Sequence, residues 1–482
     1  MESIETLWDR ARHWLEPLVY LSNNLLSLTG VVVVTTTAVL WVALLPTIMR
    51  GESHNPYTGI LTFLMLPGAF FGGLALIPFG IFWTRRRKVR KGELPAEIPP
   101  LDFRNIRLRR LFLFVGLTSV ANLIIAGQLS YSALHYLDGV TFCGKTCHTV
   151  MEPEFNAYQN SPHSRVECVQ CHIGPGASWF VKSKLSGLHQ VVAVAFNTYE
   201  RPIPTPVRNL RPARETCEAC HWPQKFGEDR LRIIHKYADD EANAMTKTVL
   251  LMRIGGGRLG GPGIHGAHLG EGVVIRYAHS DEKRQAIPWV ESTRGGKSAI
   301  YLAPGAPADA DKRYPVRVMD CVDCHNRPSH TYELPERAAD RAMREGAISP
   351  ALPFAKKHTL DVLKATYASN EEAARKIPVE FARFYREQKP EVYRQRRVEI
   401  DRAGQAALAI YRRNVFPAMK VTWGLYPNHV GHTDFPGCFR CHDDQHAAGE
   451  KKISQDCNTC HQLLAMDEPA PKILSDLGLE KK

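Results

Sequence analysis

No cysteine in this 482-residue chain stands alone. All twelve fall in pairs with two or three residues between them, and each pair is followed at once by a histidine. The repeated pairing with a histidine at one constant offset argues against both a disulfide framework and zinc, neither of which needs such a rule. Also missing is a small-residue cleavage site after the first apolar block, which starts late and follows an acidic amphipathic stretch. A cleaved signal peptide is therefore not expected. Net positive charge is small outside one loop. Arg85 to Arg110, "RRRKVRKGELPAEIPPLDFRNIRLRR", holds ten Lys or Arg against three acids, seven of the formal +12, which leaves +5 on the remainder. That balance gives no support to nucleic-acid binding, and the basic run reads as a membrane-orienting loop beside anionic lipid.

Five of the pairs share one form: "CVQCH" (Cys168, Cys171, His172), "CEACH" (Cys217, Cys220, His221), "CVDCH" (Cys321, Cys324, His325), "CFRCH" (Cys438, Cys441, His442) and "CNTCH" (Cys457, Cys460, His461). The first pair, "CGKTCH" (Cys143, Cys147, His148), has three intervening residues. Two thiols at this spacing bond to the two vinyl groups of one porphyrin, and the adjacent imidazole coordinates its iron. One extra residue can loop outward without moving the terminal Cys-His pair. The reading is six covalently bound c-type haems.

A hydrophobic content of 44% gathers in three blocks, Leu28 to Met49, Ile60 to Trp83 and Leu111 to Leu134. Each is long enough to cross a hydrocarbon core of about 30 Å at ~1.5 Å per residue. The second is punctuated by Pro67, Gly68, Gly72, Gly73, Pro78 and Gly80. Because basic residues stay on the cytoplasmic side, the Arg85 to Arg110 loop directs everything after Leu134 to the outer face, where c-type haems are attached. The expected location is a bacterial inner membrane, crossed several times, with the haem part facing the periplasm. The expected fold class is a membrane-anchored multihaem cytochrome: three transmembrane helices, then a mainly helical and irregular, haem-packed part with a small β-rich insertion. The chain divides into an anchor (1–134), a four-haem domain (135–335) containing the insertion (226–316), a helical segment (336–428) and a two-haem tail (429–482). The insertion is marked by "TVLLMRI", "GVVIRYAH" and "AIPWVESTRGGKSAIYLA", with Gly-Gly hairpin chemistry, and by a glycine-rich loop carrying His265 and His268.

Second iron ligands are sought among histidines outside the motifs. His163 lies five residues before Cys168 and His432 six before Cys438, whereas His330 and His446 follow their motifs by five and four. For the fifth such ligand the competitors are His189, His235, His265, His268 and His429, with preference for His268 or His265 because a glycine loop lets backbone approach a flat porphyrin. Only eight residues, 135 to 142, separate Leu134 from Cys143, which puts the first haem at the membrane surface within reach of a quinol head group.

The run from Phe142 through "CHTVMEPEFNAYQNSPHSRVECVQCHIGPGASWFVKSKLSG", with "CEACH" later and "DCVDCHNRPSH" to close, resembles the four-haem domain of the NapC/NirT family of membrane-anchored quinol-oxidising cytochromes c. The resemblance covers about Asp138 to Pro335. It implies electron transfer from quinol to a periplasmic cytochrome or reductase, Met151 as the ligand that matches the family's methionine at the first haem, and a lysine, Lys182 or Lys184, beside the quinol. Simple members have one transmembrane helix, four haems and no strand-rich insertion, so this chain looks closer to larger inner-membrane variants with extra carboxy-terminal haems. Asp138, Glu152, Glu154 or His189 would take the protons that quinol releases. The partners expected are membrane lipid, the quinone pool and that acceptor, with a homo-oligomer or a place in a larger complex left open. The favoured function is a quinol:cytochrome c-type relay. The alternative is a terminal reductase of a small oxyanion, which needs an iron left open for substrate.

Overall fold

The computed structural model describes residues 16–22, 24–49, 61–95, 106–146, 148–174, 176–207, 210–222, 229–255 and 263–480. The backbone forms two units, 1–148 and 149–482.

The first unit holds α1 (Leu25–Met49), α2 (Leu66–Lys91) and α3 (Ile106–Asp138). Glycines decide how closely α1 and α2 pack: a Cβ at Gly30 would lie 2.7 Å from the carbonyl oxygen of Gly73, and one at Gly73 would lie 2.9 Å from Val34. Of the glycines that punctuate the second block, Gly73 and Gly80 are thus contact positions, as small residues are between helices in a bilayer, whereas Gly68 and Gly72 have open space beside them. Val34, Trp41, Phe70 and Leu129 are buried along this seam, while Val32, Val39, Phe79 and Phe82 point outward. Two segments among the described residues, Leu25–Leu44 and Leu66–Lys91, are long and apolar enough to cross a membrane. α2 runs past the expected end at Trp83 through the basic run, because Lys and Arg propagate a helix well and complement its carboxy-terminal dipole. It stops at Gly92, whose φ of 67° is the left-handed geometry of a helix cap. α3, at 33 residues, contains the whole third block.

The second unit opens with α4 (His148–Gln159), α5 (Cys168–His172), α6 (Ala177–Ala195) and α7 (Ala213–Cys217). Strands β1 (Arg230–Tyr237) and β2 (Met245–Met252) lead to a short helix, α8 (Ile264–Leu269), and then β3 (Val273–Ala278), β4 (Trp289–Arg294), β5 (Lys297–Leu302) and β6 (Val316–Val318). The fourth motif is a helical turn, α9 (Cys321–Cys324). Helices α10 (Pro335–Arg344), α11 (Ala355–Lys364), α12 (Asn370–Gln388) and α13 (Pro390–Asn414) follow, then β7 (Ala447–Ala448), β8 (Lys451–Lys452), α14 (Cys457–Cys460) and β9 (His461–Glu468).

The sequence boundaries within this unit are not breaks in its packing. One sheet runs β1-β2-β9 and the other β6-β3-β4-β5-β7-β8, with the paired strands antiparallel, so strands from the tail complete both sheets begun by residues 230–318. The helical segment has its own core of Ile348, Leu363, Ile377, Phe381, Tyr385 and Ile400. Asn243, at the β1–β2 turn, locks the strands to it: its side-chain amide donates to the carbonyls of Pro350 (2.9 Å) and Leu352 (2.8 Å) and accepts from the Lys356 N–H (2.9 Å).

Candidate haem centres

Four of the five regular motifs begin or end a short helical turn, at α5, α7, α9 and α14, and the fifth lies on a 3₁₀ turn, Gly437–Arg440. One turn brings two cysteines three residues apart onto a common face. The first motif differs. Cys143 sits in a π-turn, Phe142–Thr146, so the extra residue is absorbed by a wider turn rather than looped out. Tyr136 braces this turn, its hydroxyl 3.1 Å from Thr146 Oγ1 and its ring edge-on to Phe142. Cys147 and the side chain of His148 lie outside the described residues. Met151 is half-buried in the first turn of α4.

Each of the five regular motif histidines faces one histidine from outside the motifs. The ring centroids are 6.2 Å apart for His172 and His330, 5.9 Å for His221 and His163, 6.4 Å for His325 and His265, 5.8 Å for His442 and His268, and 6.2 Å for His461 and His432. An iron held between two imidazoles requires about 2 Å of metal–nitrogen bond and roughly 1 Å of ring on each side, about 6 Å in all. Among the described residues no three His, Cys, Asp or Glu gather as a metal cage. The histidines meet in twos, which fits a porphyrin iron and not a four-ligand zinc site.

The surroundings leave the second ring nitrogen for a metal. His330 Nδ1 donates to the carbonyl of Glu154 (3.0 Å), His268 Nδ1 to that of Ile264 (2.7 Å) and His442 Nδ1 to that of Ser454 (2.8 Å), which turns Nε2 of each toward its partner ring. Burial pushes the imidazoles of His172, His268, His325 and His330 below their ordinary pKa, toward the neutral form that can ligate. His432 is held flat against Phe439, a residue of the fifth motif, with ring centroids 4.1 Å apart.

The pairings cross the sequence tethers. His163, just before the second motif, faces the third. His330, just after the fourth, faces the second, and His432, just before the fifth, faces the sixth. His446 faces no motif histidine: both its ring nitrogens are engaged, Nε2 with the Ile287 carbonyl (2.7 Å) and Nδ1 with Asp443 (3.0 Å). Of the competitors for the last place, both His265 and His268 are brought to motif histidines. His429 is buried against the Asp323 carbonyl, and His189 is exposed on α6.

Successive motifs also touch. α5 packs on α7, and the Arg214 N–H in the third motif's turn donates to the Asp320 carboxylate that caps the fourth (3.3 Å). Between the fourth and fifth motifs, Asp323 is buried and accepts from Tyr277 (2.6 Å), Arg284 (2.7 Å) and Arg317 (3.1 Å), while Arg440 donates to its backbone carbonyl (2.9 Å). The second to fifth motifs therefore follow one another in space in sequence order.

The α6 surface carries the expected lysines. Val181, Leu185, Leu188, Val192 and Phe196 form an exposed apolar strip, and Lys182 lies over the Trp179 ring at 4.8 Å. Asp138 ends α3. Glu154 is engaged elsewhere, because Arg327 donates to both its carboxylate oxygens (3.0 and 2.9 Å) and is itself stacked on Tyr426.

Comparisons with known proteins bear on the family. Residues 106–203 match the family described as NapC/NirT cytochrome c family, N-terminal region. The cytochrome c-type protein ImcH of Geobacter sulfurreducens is 42% identical over 452 residues, covering 92% of this chain and 88% of that protein. The cytochrome c-type protein NrfH of Wolinella succinogenes is 30% identical over 92 residues, 18% of this chain and 51% of that one. No solved structure matches.

Proposed function

From the membership of this chain in the NapC/NirT cytochrome c family, we propose that it oxidises membrane quinol and relays the electrons through six covalently bound haems to a periplasmic acceptor. The observation that carries the reading is the set of five facing histidine pairs, each with a cysteine pair next to one member. Haem c at these positions supplies reversible one-electron transfer at an iron held by two imidazoles. At all five regular motifs the two histidines would hold the iron between them, which favours transfer over substrate binding there. Cys143, Cys147 and His148 would hold the sixth group, with Met151 as its second ligand.

At the membrane, α1, α2 and α3 span the inner membrane and the second unit faces the periplasm, as the basic residues at the end of α2 and the start of α3 direct. The apolar strip of α6 lies in the interface, with Lys182 and Lys184 reaching head-group level, where one of them binds the quinol oxygen. Asp138 accepts a proton. Glu154 is instead the ion-pair partner of Arg327, which donates to both its oxygens.

The test is the purified holoprotein in liposomes, given a chemically reduced short-chain quinol. Quinol should reduce the haem absorbance, and a soluble one-electron acceptor added outside should reoxidise it. Reduction by dithionite but never by quinol would remove the quinol reading.

A further inference from the structure

We propose that the six-residue helix α8 is one clamp on two irons, with His265 closing the iron of the fourth motif and His268 that of the fifth, and that the two positions open together. This rests on reading the facing pairs as axial ligands.

Residues three apart on a helix differ by about 60° around the axis and about 4.5 Å along it, enough to aim two rings at neighbouring targets. The rings face His325 and His442. His268 is tied to its own helix through Nδ1 and the Ile264 carbonyl. Both rings ride on one helix of less than two turns, so a shift of that helix withdraws both.

Such a helix has no stability of its own, so its order comes from its seat. At the amino end, Ile264 N–H donates to the Arg253 carbonyl and His265 N–H to the Ile254 carbonyl, both at 2.9 Å. At the other end, Arg294 donates to the Ala267 carbonyl (3.1 Å) and Arg214 to the Leu269 carbonyl (3.2 Å). The seat is tight: a Cβ at Gly263 would lie 2.5 Å from Gly255 Cα and 3.0 Å from the Arg253 carbonyl. Arg253 also donates its N–H to the Cys460 carbonyl (2.9 Å), so the residue that holds α8 holds the sixth motif as well. Loss of this seat releases two ligands, and the two irons become open to a small π-acceptor such as carbon monoxide.

The experiment counts carbon monoxide bound per chain by the dithionite-reduced holoprotein, relative to the unsubstituted chain, with the covalent haem mass checked in each variant. His265→Ala and His268→Ala should each add one site. Gly263→Val, which alters no histidine, should add two. A Gly263→Val protein that adds one site or none, while each histidine variant adds one, overturns the clamp. Histidine variants that add none overturn the ligand reading itself. If Gly263→Val does not accumulate, the milder Arg214→Ala, Arg294→Ala double variant decides: the two sites should fill to equal extents, and filling of one without the other contradicts the proposal.

Discussion

His163 faces His221 across 5.9 Å, although His163 stands five residues before the second motif and His221 closes the third. The tie between sequence neighbours is thus replaced by one between neighbouring motifs, and with it each added haem would staple two parts of the chain. Ring orientation makes this testable. The planes of His163 and His221 cross at 72°, whereas those of His265 and His325 lie within 14°. Crossed imidazoles leave two iron d orbitals nearly degenerate and give a highly anisotropic low-spin resonance, while parallel ones give a rhombic resonance. Electron paramagnetic resonance of His163→Ala should therefore lose a highly anisotropic signal, and that of His265→Ala a rhombic one. The opposite assignment would mean that the pairs are not formed as described.

The motifs, the apolar blocks and the histidines worth watching were all legible in the chain, because each depends on local spacing. The partner of each histidine was not, since a tether of five residues limits reach without setting direction. His163, His330 and His432 each turn to a motif other than the one beside them. His446 has as short a tether as any, yet the Ile287 carbonyl and Asp443 occupy its nitrogens. The joining of β9 to β2 was equally hidden: His461 pairs with Met252 across more than two hundred residues. A signal for α8 did exist in the i, i+3 spacing of His265 and His268, which invited a choice of one where the fold uses both.

Asp323 should be a stability hub. Its carboxylate is buried and paired with Arg284 and Arg317, with Tyr277 donating to the same oxygen. Asp323→Ala strands two guanidinium groups, at a cost of about 3–5 kcal/mol by the usual penalty for breaking a buried pair. Asp323→Asn, which keeps an acceptor for Tyr277, should cost less. Thermal unfolding of the two variants at equal haem content checks the order, and an unchanged midpoint for Asp323→Ala would contradict it.

His429 gives a pH dependence. Burial, and then the nearby Arg440, push its imidazole from 6.5 down to about 4. Between those values the unfolded chain binds a proton that the folded chain does not, so stability falls as pH drops through this window, by up to about 1.4 kcal/mol per pH unit from this group. Above pH 6.5 the group contributes no slope. His429→Gln should flatten the curve of melting temperature against pH between 6.5 and 4, and a slope equal to that of the unsubstituted protein would remove His429 as its source.

Lys182 and Lys184 are the residues to change for the quinol step. Lys182→Ala or Lys184→Ala should slow reduction by quinol tenfold or more while leaving haem content and reduction by dithionite intact. Asp138→Asn should do the same with a steeper dependence on pH. If neither lysine variant alters the quinol rate, the head group binds away from α6.

The claim on which the rest depends is that all five regular motifs hold an iron between two histidines. Near-infrared magnetic circular dichroism of the oxidised holoprotein, normalised to the haem number from intact mass, measures this directly, because two-imidazole low-spin irons have their own charge-transfer band. The account predicts six haems by mass, with band intensity equal to five two-histidine irons and a sixth iron of different ligation. Intensity equal to four or fewer, or a mass that holds only five haems, would contradict it.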